Sequence, residues 1–210
     1  MPLRSVAMMS MTDGPFSEYA ERNGVPILEV LRDEFATRQR VLEIGSGTGQ
    51  HAAQFAKILS HLQWQTSDRD ENHDGINAWV SAASLENLLP PLSFDVLTAD
   101  IASASYDAVF SSNTAHIMSI EAVEKMFTLV GQALMSGGVF CLYGPFRQNG
   151  EFNTASNAAF HESLRSRDPE MGIRDLEALD ELGQRHDLER LRLYAMPANN
   201  HLAVWIKEVA

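Results

Sequence analysis

The sequence is short of cysteine, of basic residues and of long apolar runs, and each shortage removes a class of protein. A single cysteine, Cys141, cannot form an internal disulfide, and its place in an apolar run marks a buried thiol in a reducing compartment. Sixteen Lys and Arg stand against 28 Asp and Glu, a formal net charge of -12 that repels a phosphate backbone unless the cations are concentrated. They are not. The richest basic stretch interleaves Arg185, Arg190 and Arg192 with Asp187 and Glu189, a mixed solvated face, which argues against a nucleic-acid partner. No window reaches the roughly 18 apolar residues of a membrane helix, and Met1 to Met11 has no continuous apolar core of a signal peptide. A cytoplasmic protein without a membrane partner is expected. Repeats and low-complexity tracts are also missing.

What is present fits one α/β domain. The 210 residues suffice for one full core, and 45% hydrophobic with 21% charged residues is ordinary for a globular chain. Residues 1–15 carry little pattern and are expected to be a mobile segment preceding a single domain over 16–210. Residues 16–35 turn helical, with Asn23 expected as a cap, Pro26 in the first turn, and Ile27, Leu28, Leu31 and Phe35 on one face. A strand over Arg40 to Ile44 leads into glycines and a helix with Ala52, Ala53, Phe55 and Ala56. A second strand, Leu62 to Ser67, ends at Asp68, and a helix follows from about Asp74. Phe94 to Ala99 reads as the third strand, ending in Asp100, and Tyr106 to Ser111 as the fourth, ending in Ser112 and Asn113. Val123, Phe127, Val130 and Leu134 then share a helical face that Gly137 and Gly138 should stop, before a fifth strand, Val139 to Tyr143. Further helices are expected over about 155–165 and from Asp175. The runs Leu191 to Met196 and Leu202 to Ile206 lie too close for a crossover, so they should pair antiparallel, with Asn199 and Asn200 in the turn. The expected fold is a Rossmann-like, mostly parallel seven-stranded sheet with an antiparallel last strand and helices on both faces.

In such sheets a ligand lies beyond the carboxyl ends of the strands, where Gly45 to Gly49, Asp68, Asp100 and Asn113 converge. The dinucleotide fingerprint wants glycine at 45, 47 and 50. This chain has Gly45, Gly47 and Gly49, with Gln50 in the helix, which speaks against a nucleotide-dependent oxidoreductase. Glycines at every second position, with Glu43 beneath them, suit a ligand with an ammonium group and no phosphate. Asp68 is placed to accept the hydroxyls of a ribose, and Asp100, followed by Ile101, to accept from the amine of an adenine. Adenine, ribose and an amino-acid tail together describe S-adenosylmethionine.

The segment Glu43-Ile-Gly-Ser-Gly-Thr-Gly49 resembles motif I of the class I S-adenosylmethionine-dependent methyltransferases, which also end in an antiparallel hairpin. A closer resemblance runs from about Ala20 onward: Ala20-Glu-Arg-Asn23, Gly49-Gln-His51, Asn113 with His116-Ile117, Tyr143-Gly-Pro-Phe146, Ser156-Asn157, Arg165 with Arg167-Asp168-Pro169, Gly172-Ile-Arg-Asp175 and Met196-Pro-Ala-Asn-Asn200 are similar to the methyltransferase-like protein 26 family. Ser119 and Met171 depart from that family's pattern, at the expected substrate mouth. The resemblance implies a methyltransferase with S-adenosylhomocysteine as its product and leaves the acceptor open, a small molecule or a protein side chain. It also implies Arg22 and Asn23 as cofactor contacts, with the arginine on the methionine carboxylate. Asn113, His116 and Tyr143 would face the substrate, His116 as a base near neutral pH or as a structural brace. No metal is expected. The polar segment 146–175, with Asn153, Asn157, Arg165 and Arg167, reads as a lid-like insertion. The same fold retained as a non-catalytic cofactor-binding or partner-binding module is the alternative, and oligomeric state is not legible.

Overall fold

A computed structural model describes residues 14–209. The expected mobile segment 1–15 therefore falls almost wholly outside the described residues. Seven strands form one sheet: β1 (Arg40–Ile44), β2 (Gln63–Asp68), β3 (Leu88–Ser93), β4 (Tyr106–Ser112), β5 (Leu134–Gly144), β8 (Leu188–Met196) and β9 (Asn200–Lys207). A two-residue pair, β6 (Phe146–Arg147) with β7 (Arg174–Asp175), lies apart from it. The order across the sheet is β3-β2-β1-β4-β5-β9-β8, all parallel except β9, which runs antiparallel to both β5 and β8. The topology is that of a Rossmann-like sheet closed by an antiparallel hairpin.

Side-chain alternation explains why the central strands read as continuous apolar runs. Val41 of β1, Phe110 of β4, Cys141 and Tyr143 of β5 and Val204 of β9 enter one core. Leu42, Val109, Phe140, Leu142 and Trp205 enter the other. Both faces are covered, so neither needs polar residues. On the first face lie α1 (Glu18–Glu34), α2 (Gln50–Ile58) and α3 (His73–Ala83); on the second lie α4 (Ile120–Ala133) and α6 (Leu176–Gln184), with α5 (Ala155–Arg167) between β6 and β7.

Three sequence expectations need correction. Residues 94–99 are a loop, and the third strand is Leu88–Ser93, disguised by Pro90 and Pro91. Proline is tolerated there because β3 is an edge strand and the prolines sit at a register shift, where Gln65 Nε2 donates to Pro90 O. Phe94 and Val96 are buried, so their alternation imitated a strand, while the Asp95 side chain and carbonyl accept from Leu97, Thr98 and Ala99 and turn the backbone. Asn23 caps nothing: it lies inside α1, whose cap is Ser17, with Oγ accepting from Ala20 N. Finally, α4 stops at Ala133, and Gly137 and Gly138 fall within β5, where the register against β4 slips.

The far end of α1 is tied to the hairpin. Glu34 accepts from Arg192 Nε (2.7 Å) and Nη2 (3.2 Å) and from the Tyr194 hydroxyl (2.6 Å). Burial opposes ionisation of Glu34, but these hydrogen bonds and the charges of Arg192 and Arg38 hold its carboxyl below the usual range. A depressed carboxyl contributes stability above its unfolded pKa and loses it as pH falls through the folded value. Glu34→Gln is therefore expected to cost about 1 kcal/mol at pH 7, since Arg192 is half exposed. Urea unfolding should show the difference shrinking towards pH 3.

Candidate functional site

The turn after β1 is braced on every side. Gly45 N and Ser46 N donate to Ser67 O (3.0 Å each), Gly49 N donates to Ser46 O (2.9 Å), and Ser111 Oγ donates to Ile44 O (2.7 Å). Gly45, Gly47 and Gly49 have φ of 74°, 58° and 86°. Beneath the turn, Glu43 Oε2 accepts from Ser46 Oγ and Trp64 Nε1, both at 3.0 Å. Burial lifts the Glu43 carboxyl to about 7, against those two hydrogen bonds, and the charge of Asp68 adds to the rise. It therefore stands near its midpoint at neutral pH.

Above the turn opens a cleft of about 560 Å³, within the usual range of small-molecule sites. One wall is the start of α1, with Tyr19, Arg22 and Asn23. Ser112 ends β4 and Asn113, His116 and Ile117 follow it, and α5 supplies the opposite wall. Of the residues expected at the site, Arg22, Asn23, Glu43, Gly45, Gly47, Asn113 and His116 line this cleft.

The other five do not. Gly49 caps α2 against α3. Asp68 lies behind the turn: Oδ2 accepts from Gly47 N (2.7 Å), and Oδ1 from Arg69 N and Asn72 Nδ2 (2.8 Å each). A carboxylate offers about four acceptor positions, so one remains. Asp100 sits in the 94–105 loop, its Oδ1 accepting from Ile101 N, while Ile101 packs on the core under α4. Tyr143 belongs to the α1 side of the sheet, with Val139 and Cys141, and its hydroxyl accepts from Asn200 Nδ2 (2.9 Å). Asn200 lines the cleft instead.

His116 is held by its backbone, because Gly172 N donates to its carbonyl (2.9 Å), and its ring meets Phe160 edge-on at 5.4 Å. Arg174 donates to Ala115 O (2.9 Å) and to Met118 O, fixing the same turn. Burial, then the charges of Arg174 and Arg167, push His116 down to about 4, so the ring is neutral at pH 7 and a feeble base.

Several lining residues escaped the sequence reading. Burial pushes His51 down to about 4, against its bond to Ala20 O, and with a carbonyl as partner Nε2 carries the proton (3.2 Å). Phe160 and Leu164 join Asn157 and Arg167 on one face of α5 at steps of three, four and three, a helical spacing that could have revealed them. Asn157 Nδ2 donates to Asn199 O (3.0 Å) and Asn153 Oδ1 (2.8 Å), latching α5 to the hairpin turn Pro197–Asn199. Among the described residues no cluster of three or more His, Cys, Asp or Glu could hold a metal, and no helix is long and apolar enough to cross a membrane.

The sequence model of a family described as "Protein of unknown function (DUF938)" matches residues 14–207. Solved structures with a similar fold include an O-methyltransferase family protein from Burkholderia thailandensis (TM-score 0.77, 14% identity, 89% of this chain and 57% of that one). An O-methyltransferase family 2 protein from Planctomyces limnophilus, in complex with apigenin, gives TM-score 0.79 at 16% identity, covering 90% and 57%. Human N-acetylserotonin methyltransferase in complex with SAM gives 0.77 at 11% identity, covering 91% and 53%. At these identities the likeness is one of fold, and the chain spans a little over half the length of each.

Proposed function

The chain belongs to that family, and we propose that it is an S-adenosylmethionine-dependent methyltransferase acting on a small-molecule acceptor, akin to the methyltransferase-like protein 26 family. The observation that carries this reading is Glu43, a buried carboxylate at the floor of a glycine-turn cleft and the one acid lining it among the described residues. An ammonium group matches it in charge and in need for an acceptor, and the fold is shared with human N-acetylserotonin methyltransferase, whose structure is a complex with SAM.

In this reading Arg22 and Asn23 take the carboxylate of the methionine tail, Asn23 with a side-chain amide that bonds no other described residue. The Gly45–Gly49 turn takes the tail and ribose, with Asp68 both bracing Gly47 and offering its remaining acceptor position. Asp100 and Ile101 lie beyond the cleft, so adenine recognition by them requires the 94–105 loop to close. The cofactor, when bound, supplies a methyl group on a sulfonium. His116, neutral, and Asn113 orient the acceptor by hydrogen bonds, and Tyr143 is a positioning residue acting through Asn200. Residues 16–210 act as one domain, 146–175 as its lid-like insertion, in the cytoplasm where Cys141 stays reduced.

Calorimetric titration tests the reading. S-adenosylhomocysteine is expected to bind the wild type saturably, and Asp68→Ala to weaken it by about tenfold or more, through loss of both the loop brace and the ribose acceptor. No heat with S-adenosylmethionine or S-adenosylhomocysteine on a folded wild type would sink the proposal.

A further inference from the structure

The chain carries 28 acids against 16 Lys and Arg, yet in the cleft the balance is reversed: two arginines, Arg22 and Arg167, face one carboxylate. That carboxylate, Glu43, belongs to the cofactor half. The acceptor half, from Ser112 round to Asn200, has no acid among its lining residues and one cation, Arg167. Arg165 and Arg167 both occupy the last turn of α5, where a cation complements the helix dipole, but it is Arg167 that lines the cleft. Its guanidinium has no carboxylate partner among the described residues, whereas Arg190 donates from Nε to both oxygens of Asp180 and Arg192 grips Glu34 with Nε and Nη2. On the same face of α5, Phe160 and Leu164 stand beside Arg167, with Ile117 opposite.

We propose, resting on the methyltransferase reading, that the acceptor is a small organic acid: its anionic group is held by Arg167 and its apolar body lies on Phe160, Leu164 and Ile117. An anion fits this half for a second reason. The acceptor half has no carboxylate to take a proton, and its one histidine, His116, is kept neutral by burial and by the nearby arginines. An acceptor arriving as an ionised oxygen or sulfur needs no base. Its lone pair forms the bond to the methyl carbon as the carbon–sulfur bond of the sulfonium breaks, the electron pair stays on sulfur as the thioether, and no proton is released. Arginine, with its forked donors, also selects carboxylate-like groups over neutral isosteres.

The test uses the full chain saturated with S-adenosylhomocysteine and titrated with benzoate, phenylacetate and hexanoate, each against its own uncharged amide. At least one acid is expected to bind about tenfold tighter than its amide. Arg167→Gln should erase that preference and Arg167→Lys restore part of it, with the affinity for S-adenosylhomocysteine unchanged in both. The proposal is overturned if no acid outbinds its amide, or if the preference survives in Arg167→Gln. If the wild type does not bind S-adenosylhomocysteine, the cofactor reading fails instead, and the same acid and amide titrations on unloaded protein decide the anion site.

Discussion

Glu43→Gln should make the ligand-free protein more stable at pH 8 while weakening S-adenosylhomocysteine about a hundredfold. Both effects come from one buried group. A carboxyl that ionises near 4.5 unfolded and near 7 folded holds its proton more tightly in the folded state. Stability therefore falls as pH rises from about 4.5 to about 7, and the penalty is complete above that, on the order of 3 kcal/mol. Glutamine keeps an acceptor for Ser46 and Trp64 and has no proton to lose, so its variant should be flat across that window. It cannot, however, pair with a cation. Thermal unfolding from pH 4 to 8.5, with and without ligand, measures both. Parallel wild-type and variant curves would show that Glu43 is not the group at issue.

Two glycines of the turn, Gly47 and Gly49, should separate folding from binding. Gly49→Ala is expected to cost about 3 kcal/mol, because φ is 86° and a Cβ would lie 2.9 Å from Ile76 Cα and 3.3 Å from Ile76 O, backbone atoms that cannot swing away. Gly47→Ala meets nothing within 4 Å, so only its φ of 58° is strained, at about 1 kcal/mol. That open space belongs to the cleft, where the proposed cofactor would lie. Gly47→Ala should stay folded and lose S-adenosylhomocysteine, whereas Gly49→Ala should melt early whether or not it binds. Circular dichroism melts and calorimetry on the two variants check this, and a Gly47→Ala protein that binds normally would remove the turn from the cofactor site.

Strand-and-helix order and the antiparallel ending were legible because each depends on local pattern: apolar runs bounded by polar strand ends, and a connection too short for a crossover. The third strand was not, because edge position is a property of the whole sheet and it alone makes Pro90 and Pro91 tolerable. The cleft was half legible. Residues at the ends of β1 and β4 follow from the general rule for open sheets, but which face a strand-end residue points to depends on register, and so Tyr143 sits in the core while Asn200, from a different strand, lines the cleft. The direction of the Asp68 carboxylate was likewise set by a donor 21 positions away, Gly47 N.

The paired ends of the 146–175 excursion have a consequence for how such a protein can change. β6 and β7 lie side by side, with Phe146 opposite Arg174 and Arg147 opposite Asp175, and Gly150 N donates to Asp175 Oδ2. The chain thus leaves and rejoins the body of the molecule at one point, like the two posts of a gate. Between them, the residues away from the Asn157–Asn199 and Gly172–His116 ties can be lengthened or shortened at little more than the entropy of closing a longer loop. The wall of the cleft that α5 supplies can then drift across generations while the sheet and its glycine turn are left alone.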